Sequence, residues 1–72
     1  MGRVLVLSEA DYLYGAGPLR LRVDRVDYVN PVIDDDERWY TVEGFQVSAA
    51  GVELQARCVL VRGHRLLPEG YR

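Results

Sequence analysis

Residues 19–29, Leu-Arg-Leu-Arg-Val-Asp-Arg-Val-Asp-Tyr-Val, alternate apolar and polar positions and then change phase once. Leu19, Leu21 and Val23 share one face, and after Asp24-Arg25 the apolar set resumes at Val26 and Tyr28. No turn residue intervenes, so the pattern predicts one long strand carried round a corner by a bulge. A bent strand of this kind closes a short sheet into a small barrel.

The remaining pattern supplies partners for that strand. Residues 3–7 are apolar on both faces in their middle, which predicts a first strand covered on both sides and central or end-protected. Ser8-Glu-Ala-Asp11 reads as a helix start that Gly15 stops after a turn, leaving residues 8–18 as a structured loop. Asn30-Pro31 breaks the second strand, and Asp34-Asp-Asp-Glu37 has no apolar face to bury and forms a solvated loop tip.

A third strand covers residues 39–47, with Gly44 as a bulge or a point of close approach. Ser48-Ala-Ala-Gly51 is a hairpin loop with its glycine at a positive-φ position. The fourth strand covers residues 52–61, residues 62–65 form a tight connection, Leu66-Leu67 a short closing strand and residues 68–72 a terminal turn. Strand parity assigns the core to Val4, Val6, Leu19, Leu21, Val23, Phe45, Val47, Leu54, Ala56, Cys58 and Leu60.

Composition bounds this reading. Seventy-two residues make a single domain, residues 1–72, and so short a chain buries only about 60% of its unfolded surface. With 49% hydrophobic and 28% charged residues the chain is globular, and its apolar content exceeds what one small core hides. The single cysteine, Cys58, excludes an internal disulfide and a multi-cysteine metal site, and a reducing cytoplasm fits it best. The aliphatic run at residues 4–7 is too short for a signal peptide or a membrane span. All nine basic residues are arginine, as a GC-rich genome would encode, and a net charge of −2 argues against general affinity for phosphate backbones.

No catalytic or metal signature emerges. The acids Asp34, Asp35, Asp36 and Glu37 lack the spacers and glycine of a calcium loop, and suit a basic partner better than a metal. Cys58 and His64 are the only candidates for a nucleophile and base; parity sends Cys58 into the core and leaves His64 in an exposed turn. Arg20, Arg22 and Arg57, interleaved with Tyr14, Tyr28 or Trp39, could line a single-strand-binding surface. Asp24, Asp27 and Glu53 share those surfaces, so cross-strand ion pairing is the preferred reading. No cofactor and no small-molecule substrate are inferred.

The aromatics Tyr12, Tyr14, Trp39, Tyr40 and Tyr71 all fall at strand ends or in loops. At this point the chain resembles a Src-homology-3-like barrel. Asp11-Tyr-Leu-Tyr14 is similar to that family's Ala-Leu-Tyr-Asp-Tyr element, and residues 34–40 to its acidic loop followed by paired tryptophans. Leu67-Pro-Glu-Gly-Tyr71 is similar to its Pro-x-x-Tyr close. The resemblance implies a groove for polyproline peptides lined by these aromatics, with Asp34, Asp35 and Asp36 selecting a basic residue. One tryptophan is missing and the interval from Trp39 to Pro68 is long, which departs from the groove more than from the barrel. The chain also looks like small actinobacterial proteins, a likeness that implies no activity.

The expected architecture is an all-β, five-stranded, Src-homology-3-like barrel with a bent second strand and a long hairpin between strands three and four. The expected function is a non-enzymatic protein-binding adaptor or small subunit of a complex, able to associate with itself; the alternative is a small nucleic-acid-binding barrel.

Overall fold

The phase change at Asp24-Arg25 is a β-bulge. A computed structural model describes residues 3–66 and contains four strands, β1 (Val4–Leu7), β2 (Leu19–Asp34), β3 (Glu37–Val47) and β4 (Glu53–Arg62). They form one antiparallel sheet in the order β1-β2-β3-β4, curled into a half-barrel. Val23 pairs with Gly44 and Arg25 with Glu43, so Asp24 is the extra residue. The bulge lets Leu21 and Val23 on one side of it, and Val26 on the other, face the same interior.

Opposite the bulge the two backbones approach closely. A β-carbon on Gly44 would meet the Arg22 carbonyl oxygen, so only glycine fits there. Farther along, Asn30-Pro31 does not end β2 as the sequence predicts. Residues 28–31 bulge out between the Asp27–Thr41 and Val32–Trp39 pairs, and β2 continues to Asp34. Proline is tolerated because the bulge requires no ladder hydrogen bond from it, while the Asp27 carboxylate takes the free N–H groups of Val29 (2.9 Å) and Asn30 (3.3 Å). Asp35 and Asp36 both adopt positive φ in the exposed two-residue turn that joins β2 to β3.

The core lies in the concave face: Leu7, Tyr12, Leu19, Leu21, Val23, Tyr40, Val42, Val61 and Leu66. Register fixes this face, since Leu5 and Leu7 pair with Leu21 and Leu19, and Val42 and Tyr40 with Val59 and Val61. The predicted core is therefore corrected on three strands. Val4, Val6, Leu54, Ala56 and Cys58 are exposed, and Phe45 and Leu60 are half-buried on the convex face. Val47 is buried but stands outside the main cluster. In β1 and the second half of β4 both parities are apolar, so alternation cannot choose between them; pairing with β2 and β3 does.

Two further corrections concern closure. β1 is an edge strand, and four strands are present among the described residues, without the predicted fifth. Instead of a closing strand, residues Gly63–Arg65 make a 3₁₀ turn that drops Leu66 into the core; Leu67 lies outside the described residues. Arg65 donates to the Val6 carbonyl (2.8 Å) and Arg3 to the Leu66 carbonyl (3.1 Å), which covers the free edge of β1. The loop after β1 opens with a 3₁₀ turn, Glu9–Asp11, and lays Tyr12 against Val61. The Leu13 N–H donates to the Leu60 carbonyl (3.0 Å), and the Tyr12 hydroxyl to the Gly17 carbonyl (2.8 Å).

Candidate functional site

Among the described residues, the aromatics named from the sequence do not form one open groove. Tyr12 and Tyr40 belong to the core, where Tyr40 packs at 5.4 Å against Tyr28. Trp39 is buried beneath the Arg62 guanidinium, 4.9 Å from the ring centre, and its indole N–H has no partner among the described residues. Tyr14 differs from all of these: it is 98% exposed, on a backbone with φ of 62°. A bulky residue in the left-handed region is uncommon, and here it holds an aromatic ring out into solvent. Tyr71 lies outside the described residues. Asp34, Asp35 and Asp36 are exposed at the far hairpin tip.

The arginines do not gather on one face either. Arg22 pairs with Asp24 (3.5 Å) and Glu53 and lies over the Phe45 ring at 5.2 Å. Arg57 pairs across β3 with Gly44, which faces Val23, so it stands on the opposite face from Arg20 and Arg22. It donates to the Gln46 side-chain oxygen (2.8 Å), which Gln55 also reaches (3.1 Å). This amide cluster at the open end of the concave face escaped the sequence reading, which expected β4 to bury its other parity.

Among the described residues three charged groups are shifted, each for a local reason. Burial works against the Asp11 carboxylate, yet the Ser8 N–H (2.9 Å) and hydroxyl (3.1 Å), with Arg65 at 3.3 Å and the charge of His64, hold its pKa below the usual 3.8. The Val29 N–H, followed by that of Asn30, lowers Asp27. A hydrogen bond to Glu43 at 2.8 Å raises Arg25. All three are structural contacts on turns and strand pairs. Among the described residues no group of three His, Cys, Asp or Glu side chains is placed to hold a metal ion, and no helix is long and apolar enough to cross a membrane.

What the structure does bring together is an apolar strip on the convex face beside an open strand edge. Leu54 is 58% exposed, Ala56 and Cys58 are exposed, and Phe45 flanks them on β3. Tyr14, Leu13, Cys58 and Leu60 line one shallow groove, and Phe45, Ala56 and Cys58 line the next. Leu60 turns its carbonyl to the free side of β4, where Leu13 takes it. Strand alternation points the N–H and C=O groups of Cys58 and Ala56 the same way, and no hydrogen bond among the described residues uses them there. The sequence carries this strip as the apolar set Leu54, Ala56, Cys58 and Leu60, whose alternation is the same as that of a core strand. The chain matches no protein-family model, no curated protein and no solved structure.

Proposed function

We propose that the chain is a non-enzymatic protein-binding module, an adaptor or small subunit of a complex, that docks its partner on the convex face and free edge of β4. The observation that carries this reading is the continuity of Tyr14 with the strip Cys58-Ala56-Leu54 along backbone that no described residue pairs with. Exposed aromatic and aliphatic side chains supply the contact area that dominates interfaces, and an open edge supplies directional hydrogen bonds for an added strand. An open edge with one apolar face invites such pairing, whereas the β1 edge is capped by Arg65.

A Src-homology-3-like barrel remains part of the proposal, supported by the curled antiparallel sheet and the Asp11-Tyr-Leu-Tyr14 element. The docking surface proposed here differs from that family's aromatic groove, since Tyr12, Trp39 and Tyr40 are buried. A cytoplasmic setting agrees with a lone, exposed, unpaired Cys58.

The test is selection of extended peptides against the immobilised chain. Binders should lose at least about tenfold in affinity on Tyr14→Ala or Ala56→Pro, the latter removing an edge donor that the sheet itself does not use. Bound peptide should also slow amide exchange at Ala56 and Cys58. Binders indifferent to both substitutions, or unchanged exchange at these amides, would overturn the reading.

A further inference from the structure

We infer that the occupant of the β4 edge is a second copy of this chain, joined by antiparallel pairing of residues 54–58 about a two-fold axis at Ala56. The inference rests on the docking reading above and names its partner. In this register Leu54 of each copy faces Cys58 of the other on the convex side, with the two Ala56 side chains between them. On the other side Gln55 faces Arg57, so the guanidinium of one copy meets the side-chain oxygen that Gln55 does not spend on Gln46, with no like charge opposed. Ala56 N–H of each copy donates to the Ala56 carbonyl of the other, using the groups that point to the free side.

Neighbouring registers are worse on the chemistry of the same strand. An axis at Arg57 sets two guanidinium groups directly opposite each other. An axis at Cys58 needs the Leu60 backbone, which Leu13 already occupies. An axis at Gln55 draws Glu53 toward Arg57 of the other copy, away from the Arg22 that holds it. With the axis at Ala56 the paired stretch runs from Leu54, the extra residue between the Gln46–Gln55 and Val47–Glu53 pairs, and stops short of the Leu60 carbonyl that Leu13 occupies. It also carries Val52, 59% exposed, toward Tyr14 of the second copy. The two half-barrels then share one eight-stranded sheet through a single strand pair, so the association is reversible and depends on concentration.

Sedimentation equilibrium tests this. The wild-type chain should form dimers as concentration rises, Ala56→Arg and Ala56→Glu should each sediment as monomers, and an equimolar mixture of the two should regain the dimer. Recovery in the mixture shows that both variants are folded. Independently, Ala56→Cys in a Cys58→Ser background should form a disulfide-linked dimer on mild oxidation, because facing residues of a strand pair lie about 5.5 Å apart. Val4→Cys in the same background should not. A wild-type monomer up to about 1 mM, dimers that persist in both charged variants, or no crosslink at Ala56→Cys would overturn the second copy as occupant. Peptide binding that still depends on Ala56 would then leave the docking reading standing, and its loss would remove both.

Discussion

Gly44 faces the backbone carbonyl of Arg22 so closely that a β-carbon on Gly44 would collide with that oxygen. The contact lies directly opposite the Asp24 bulge, where β2 bends across β3. Gly44→Ala must push two strand backbones apart and should cost about 3 kcal/mol. Urea unfolding monitored by circular dichroism checks this; a change within about 0.5 kcal/mol would show that the bend relaxes freely.

Leu7 and Val6 are neighbours with opposite fates, one wholly buried and the other 52% exposed. Leu7→Ala should cost on the order of 2–5 kcal/mol, whereas Val6→Thr should stay within about 0.5 kcal/mol. Equal effects on the thermal midpoint would contradict the face assignment of β1.

Tyr12 acts as the plug between the first loop and β4, so its ring and its hydroxyl can be weighed separately. Tyr12→Phe removes only the hydrogen bond to the Gly17 carbonyl and should cost about 1 kcal/mol. Tyr12→Ala should cost about 3–5 kcal/mol and release the Leu13–Leu60 contact, visible as faster amide exchange at Leu13. If the two variants unfold at the same urea concentration, the ring does not carry the closure.

The lowered pKa of Asp11 makes an acid-dependent contribution. Its folded value lies below 3.8, so the unfolded chain takes up the proton first as pH falls. The contribution is complete above that usual value and is lost as pH drops through the folded value. The stability gap between wild type and Asp11→Asn should therefore narrow from about pH 5 to about pH 2. A gap that stays constant over this range would mean that Ser8 and Arg65 do not favour the ionised carboxyl.

Local chemistry made part of the fold legible. The phase slip at Asp24-Arg25, the turn at Asp34-Asp-Asp-Glu37, the positive φ of Gly51 and the close approach at Gly44 each follow from one residue type at one place. The inner face of β2 was equally plain because its other parity carries Arg20, Arg22 and Asp24, which no core would accept unpaired. In the candidate site Tyr14 was found, whereas Tyr12, Trp39 and Tyr40 were indistinguishable from it by type and position along the chain.

The amino-acid sequence by itself determined that this chain forms bent antiparallel strands with defined turns, since alternation, glycine and proline act over a few residues. Tertiary structure decided which of two apolar faces became the core. Val4 through Leu7 and Cys58 through Val61 satisfy either parity, and only cross-strand register with Leu19, Leu21, Tyr40 and Val42 breaks the tie. The same choice turned Leu54, Ala56 and Cys58 outward beside backbone that no described residue pairs with. A one-residue shift in pairing exchanges the faces of a whole strand, and no local preference records that long-range choice.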